Sequence, residues 1–237
     1  MLTQDSPPQD CFTAIDESST CIKDSSRSRW LKRSFDFVLS LILFTITLPV
    51  FVVSIFLAKF QSRGPVFYKA TRVGKNGKLF KMYKFRTMVE KADQIGIGLT
   101  THQDVRVTRI GGFLRKLKLD ELPNLINVVK GDMSLIGPRP ESPDYVKFYS
   151  ERQKQVLQVK PGITGPSQIV NRDEEKKLKA KDNPEHYYIT ELMPEKLELD
   201  LHYVATQSFF RDIGWLIKTL WVIFFPLKNE KDYRHLN

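Results

Sequence analysis

The sequence predicts an α/β chain, mainly helical with one small β-hairpin, in which an N-terminal membrane helix precedes a compact body. Three observations carry this reading. The stretch Phe37–Ala58 has 22 residues and no charge, which at about 1.5 Å per residue suffices to reach across a bilayer core of roughly 30 Å. Gly74-Lys75-Asn76-Gly77 is a turn signal between two strand-like runs. From residue 120 onward, apolar residues recur at helical spacing. With 237 residues, 41% apolar and 27% charged, the chain buries one good core and at most a small appendage.

The first 26 residues carry Asp5, Asp10, Asp16, Glu17 and Asp24 against Lys23, are rich in Ser, Asp, Pro and Thr, and show no periodicity. Residues 1–27 therefore read as an acidic disordered tail. They lack the basic and apolar regions of a signal peptide. Cys11 and Cys21 both fall in this tail, and their spacing fits no metal motif and staples no core. The formal net charge is +10; with −4 in residues 1–26, the remainder carries +14. Such an excess points to an anionic partner: nucleic acid, anionic lipid or a phosphorylated substrate. The apolar segment and the lack of a base-reading motif argue against nucleic acid.

The membrane segment has two unusual features. Pro49 sits near its middle, where it removes a helix hydrogen bond and crowds the preceding turn. Its flanks are also alike: Arg27, Arg29, Lys32 and Arg33 precede it, and Lys59, Arg63, Lys69 and Arg72 follow. Basic flanks favour the cytoplasmic side, so both ends ask for the same face. A spanning helix and a helix that dips in and returns both remain open at this point. Ser40, Thr45 and Thr47 are candidates to bond backbone groups freed at a kink. A buried core helix is disfavoured, because nothing downstream looks apolar enough to wrap it.

In the body, Phe80, Met82, Lys84 and Arg86 share one face of the second strand-like run. This is either an edge strand with snorkelling cations or a hairpin that aims Lys84 and Arg86 at a phosphate. Residues 90–112, with Gly96, Gly98, Gly111 and Gly112, read as loop, and His102 there has no assigned role. The pattern turns helical at Asp120, with Leu122, Leu125, Ile126 and Val129 in register, Asp120 as N-cap and Lys130-Gly131 as the end. Asp120 and Glu121 then occupy the positive end of a helix, where capping is one use and anion binding another. Arg115 lies upstream. Arg139 is held between two prolines in Gly137-Pro138-Arg139-Pro140, a pre-oriented guanidinium suited to phosphate. Residues 159–172 read as a Gly/Pro loop and 173–186 as a charged, solvated insertion. Residues 193–204 read as a helix carrying Asp200 and Tyr203 near one another. Residues 212–225 read as an apolar helix too short to span, either core or interfacial, followed by a tail, 227–237.

Several stretches together resemble the bacterial sugar transferases of the monotopic phosphoglycosyl transferase family: "KRSFDFVLSLILF…LP" at the membrane segment, "KFRTM" at 84–88, "LRKLKLDELPNLINVVKGDMSLIGPRP" at 114–140, "KPGITG" at 160–165, "LDLHYV" at 199–204 and "DIGWLIKT" at 212–219. The resemblance implies a re-entrant helix over residues 28–60, broken near Pro49, and a cytosolic catalytic domain over 61–226 with interfacial amphipathic helices. It implies residence at the cytoplasmic face of the bacterial inner membrane, among anionic lipids. The implied reaction moves a sugar-1-phosphate from a UDP-sugar to undecaprenyl phosphate, with release of UMP, as a first step of glycan assembly. Asp120 is then the nucleophile, Glu121 its companion, and Mg2+ a cofactor bound at both. Arg115 and Arg139 become phosphate ligands, and Lys84, Arg86, Asp200 and Tyr203 further substrate-binding candidates. Direct transfer in a ternary complex and a non-catalytic anion-binding role stay as rivals, and a homodimer is left open. Two features depart from the family pattern. The segment after Gly165 is longer and more charged, which weakens any inference about the sugar. The extra transmembrane helices of the large members are absent, so the likeness is to the small form with an extended tail.

Overall fold

A computed structural model describes residues 26–61, 64–90, 92, 99–100 and 104–225. Both cysteines, nearly all of the acidic tail, Gly96, Gly98, His102 and the tail 227–237 lie outside the described residues. Helix α1, Ser26–Gln61, runs without interruption through Pro49. The break expected near Pro49 is therefore not a loop between two helices. Pro49 has no N–H to give the carbonyl of Thr45. The Thr45 and Thr47 hydroxyls do not fill that role, because they turn back to the carbonyls of Leu41 and Leu43 (2.9 and 2.7 Å). Ser40 is buried, and among the described residues its hydroxyl has no hydrogen-bond partner.

The body does cover one stripe of α1, contrary to the sequence expectation. Asp36, Ser40, Phe51, Ser54 and Ala58, spaced by helical turns, are buried, while Phe37, Val38, Leu41, Ile42, Ile46, Val53 and Phe56 stay exposed. Both ends of the helix are tied to the body. Arg33 donates to the carbonyls of Val128 and Val129 (2.6 and 2.8 Å), and Asp36 accepts from the Ser134 hydroxyl (2.7 Å). At the far end, the carbonyl of Ala58 accepts from Arg86 (3.4 Å).

The hairpin forms as predicted. Strands β1, Phe67–Val73, and β2, Leu79–Phe85, pair antiparallel around a tight turn at Lys75–Gly77, in which Asn76 takes φ 56°. That is the left-handed region, which Asn tolerates better than most residues. Phe85 stacks with Phe67 (5.5 Å) and packs on Phe51 (5.0 Å), fixing the hairpin to α1.

Helix α2, Arg109–Lys116, occupies the end of the expected loop. Thr108 caps it by accepting from the Gly111 amide (3.0 Å). Gly111 permits this helix rather than breaking it, because a Cβ there would lie 2.0 Å from the Thr87 carbonyl oxygen. Helix α3, Asn124–Lys130, starts three residues later than predicted. Asp120 is not its N-cap. Leu119–Glu121 instead form a 3-10 turn that springs from Lys118 in left-handed geometry (φ 58°), and Pro123 is the cap, so its missing N–H breaks no helix bond. The predicted end holds, with Gly131 at φ 93°.

Strands β3, Ser134–Ile136, and β4, Gly162–Thr164, pair in parallel. Between them lie α4, Pro143–Val146, and a 3-10 stretch, Gln153–Gln158; after them come α5, Pro166–Val170, α6, Glu174–Lys179, and α7, Pro184–Tyr187. A π turn at Tyr188–Leu192 leads into α8, Met193–Thr206, and α9 follows, Phe209–Phe224. The insertion at 173–186 is largely exposed, as expected, but it is pinned to the body by Leu178, which is fully buried in the cluster of Tyr145, Val146, Tyr188 and Leu192. Helix α9 begins earlier than expected because Ser208 caps it through the Arg211 amide (3.3 Å). Val222 is buried, whereas Phe210, Ile217, Leu220, Trp221 and Ile223 are exposed, so α9 is part core and part apolar surface.

Candidate active site

The motifs at 84–88 and 114–140 converge on one open cleft of about 2220 Å³, lined by Lys84, Arg115, Asp120, Glu121 and Arg139 among others. Each residue of "KFRTM" has a distinct task there. Lys84 donates to Glu121 Oε1 (2.9 Å). Phe85 anchors the strand in the core. Arg86 is largely buried along the wall of the cleft and donates to the carbonyl of Ala58, which joins this wall to α1. Thr87 accepts from Arg115 Nε (2.9 Å), and Met88 bridges to Val107.

Glu121 also accepts from Arg139 at the same oxygen (3.0 Å). Among the described residues nothing donates to Oε2. Burial alone would raise the Glu121 pKa, but Lys84 and Arg139 outweigh it and hold the group well below the usual carboxylate range. Lys84 is itself lowered, chiefly by burial, with Glu121 opposing. Asp120 is the contrast. It is 7% exposed, and among the described residues no donor hydrogen-bonds its carboxylate. Burial raises its pKa, while the charges of Lys84, Arg115 and Lys118 pull it down and Glu121 pushes it up. The protein's own groups thus leave Asp120 above the ordinary carboxylate pKa, with burial as the chief cause.

Arg139 is placed by backbone packing. Gly137, Gly162 and Gly165 let "GPRP" and "KPGITG" touch main chain to main chain: a Cβ at Gly162 would lie 2.1 Å from the Gly137 nitrogen. The amide of Gly162 donates to the Pro138 carbonyl (2.8 Å), and that of Gly137 to the Thr164 carbonyl (3.0 Å). Asp200 and Tyr203 stand behind this loop and do not line the cleft. Asp200 is buried and accepts from Ser167 Oγ (2.9 Å). Burial pushes its pKa up to about 7, although Ser167, Lys196 and the Arg139 amide favour the anion. Tyr203 donates to Asp212 (2.6 Å) and to the Ile136 carbonyl (3.2 Å). Asp212 in turn pairs with Lys32 of α1.

A sequence model of the family described as "Bacterial sugar transferase" matches residues 27–226. The chain belongs to the bacterial sugar transferase family. This transferase is 40% identical over 190 residues to the uncharacterized sugar transferase EpsL of Bacillus subtilis (strain 168), covering 80% of this chain and 85% of that one. It is 36% identical over 200 residues to a UDP-N-acetylgalactosamine-undecaprenyl-phosphate N-acetylgalactosaminephosphotransferase of Aeromonas hydrophila, 81% of this chain and 43% of that one. Over 204 residues it is 36% identical to the UDP-glucose:undecaprenyl-phosphate glucose-1-phosphate transferase of Escherichia coli (strain K12), 83% of this chain and 40% of that one. It spans less than half the length of these last two relatives.

Several residues that build the transferase's cleft escaped sequence reasoning. Asn127 is fully buried, accepts from the Tyr83 amide (3.0 Å) and donates to the Lys81 carbonyl (2.8 Å), which sets the strand that carries Lys84. Its signal was a polar residue inside the apolar register of α3. Glu141, Tyr188, Lys196 and Glu174 form a polar chain at the cleft wall: Tyr188 donates to Glu141, and Lys196 donates to Tyr188 (3.1 Å) and Glu174 (3.0 Å). Their separation in sequence left no local signal. Among the described residues, no group of three His, Cys, Asp or Glu converges as a metal cage.

Proposed function

We propose that this enzyme, a membrane-associated phosphoglycosyl transferase, moves a sugar-1-phosphate from a UDP-sugar to undecaprenyl phosphate, releasing UMP and leaving a polyprenyl-diphosphate-linked sugar. The family match and the names of the relatives support the reaction class. The observation that carries the assignment within this chain is Asp120: a buried carboxylate with no hydrogen-bond donor among the described residues, facing the cleft amid Lys84, Arg115 and Lys118.

The reading has two steps. A carboxylate oxygen of Asp120 attacks the phosphorus that bears the sugar, and the bond to the bridging oxygen of UMP breaks. An oxygen of undecaprenyl phosphate then attacks the same phosphorus, and the Asp120 carboxylate leaves unchanged. A covalent intermediate lets one cleft serve a soluble donor and a lipid acceptor in turn. The cations around Asp120 stabilise the phosphoryl charge as it spreads over the transferring oxygens. Lys84 and Arg139 keep Glu121 anionic and aimed, and Arg139, with more than a third of its side chain exposed, has further N–H groups for a phosphate.

The donor set fits Mg2+. This ion often takes one or two carboxylates and completes its shell with water and substrate phosphates. The unbonded Asp120 carboxylate and Glu121 Oε2 would hold it, and when bound it would neutralise diphosphate charge.

We further read α1 as re-entrant, with both ends at the cytoplasmic face. The support is that the body ties it at Asp36 and at Ala58, 22 residues apart. A helix crossing the bilayer would need that charged body on both sides. The exposed apolar faces of α1 and α9 suit contact with lipid.

The test is UMP release from a panel of UDP-sugars with undecaprenyl phosphate in vesicles. Parallel-line initial-rate kinetics and a trapped phospho-sugar adduct are expected. Intersecting lines with no adduct would replace the two-step route by direct transfer, and no release with any UDP-sugar would remove the donor class.

A further inference from the structure

Helix α6 lies over the cleft, and its two glutamates behave differently. Glu174 pairs with Lys196 where both are largely shielded (25% and 8% of the side chains exposed), and Leu178 of the same helix is fully buried. Helix α6 is thus held near both of its ends. Glu175 reaches the other way, across the cleft, to Arg115 Nη1 (3.3 Å), with 49% and 23% of the two side chains exposed. Exposed pairs of this length are weak. Arg115 is meanwhile oriented by Nε on Thr87 (2.9 Å), so its guanidinium keeps its position whether or not Glu175 is bound. Its charge is felt at Asp120.

We propose that Glu175 is an anionic plug for Arg115. Its carboxylate occupies the position a substrate phosphate takes, and it sets a threshold that a diphosphate passes and weaker anions do not. The proposal rests on the reading of Arg115 as a phosphate ligand. Its mechanism is an exchange of ion-pair partners: the donor's phosphate oxygen replaces the Glu175 oxygen at Nη1, Glu175 turns to solvent, and α6 stays in place on Leu178 and Lys196. Neither the threshold nor the residue follows from the motifs, because Glu175 belongs to the segment that departs from the family pattern.

The experiment compares Glu175→Gln with Asp173→Asn. Both remove one negative charge at the same helix start, but Asp173 pairs with Lys176 (2.8 Å) and does not reach Arg115. The readouts are donor KM, kcat, and inhibition constants for UMP and inorganic phosphate. For Glu175→Gln, donor KM and both inhibition constants are expected to fall about two- to fivefold, the range an exposed ion pair supports, with kcat within twofold of wild type. For Asp173→Asn they are expected to stay at wild-type values. Equal tightening in both variants would reduce the effect to net charge and overturn the plug, as would unchanged constants in Glu175→Gln. Failure of the wild-type enzyme to release UMP would instead count against the proposed function, so the two failures are distinguishable.

Discussion

Asp120 and Glu121 are adjacent in the chain and opposite in environment. Glu121 has two cations on one oxygen and stays ionised, whereas Asp120 has burial without a hydrogen bond from the described residues. Asp120→Asn is expected to abolish both UMP release and the trapped adduct while the protein stays folded; substantial turnover would remove Asp120 as nucleophile. Arg139→Ala deletes a charge-assisted bond of about 1.5–3 kcal/mol, so kcat/KM is expected to fall roughly 10- to 100-fold, read by initial rates. Asp200 gives a pH signature. Its folded pKa, about 7, lies above the unfolded value of 3.8, so the folded state holds the proton more tightly and stability declines as pH rises between those values. Asp200→Asn keeps a partner for Ser167 but cannot ionise. The difference in melting temperature between Asp200→Asn and wild type is therefore expected to shift in favour of the variant from pH 5 to pH 8, and a constant difference would contradict the burial argument.

At the scale of elements, the site depends on how closely two loops approach. Gly162→Ala would force a Cβ to within 2.1 Å of the Gly137 nitrogen. The backbones must then separate, and a loss of about 1–3 kcal/mol is expected in denaturant titration, with activity falling further because Arg139 moves. These glycines were legible as turn punctuation but not as contacts, since each motif's partner lies about 25 residues away. The start of α3 was misread for a related reason. Helical spacing of Leu122, Leu125 and Ile126 continues through a 3-10 turn that buries the same face, so periodicity alone could not separate the turn from the helix. Left-handed Lys118, strained by about 1–2 kcal/mol for a non-glycine residue, sets the turn's entry, and nothing in its residue type announced it.

At the scale of the whole molecule, α1 is both membrane element and structural brace. The chain Lys32–Asp212–Tyr203–Ile136 carbonyl links its first turns to the strand that enters the Arg139 loop. Topology is testable with single cysteines at Trp30 and Phe60, both well exposed (74% and 83%), after Cys11 and Cys21 are replaced by Ser. A membrane-impermeant thiol reagent applied to intact cells is expected to label neither position, and both are expected to react in inverted vesicles. Labelling of one end from outside would mean that α1 spans.

By itself the sequence determined the hairpin and its turn, the apolar segment, the helices α3, α8 and α9, and the choice of Asp120, Glu121, Arg115 and Arg139, which the structure gathers in one cleft, because each rests on spacing or residue type within a short window; the short elements β4, α5, α6 and α7, set in stretches read as loop or insertion, were not legible. Only the tertiary structure decided that Glu121 is clamped while Asp120 is not, that Arg86 and Tyr203 brace the fold, and that α6 covers the cleft. Those outcomes depend on which distant residues share a low-dielectric space, where burial and a single neighbouring charge reverse the behaviour of identical functional groups, and no local pattern encodes that proximity.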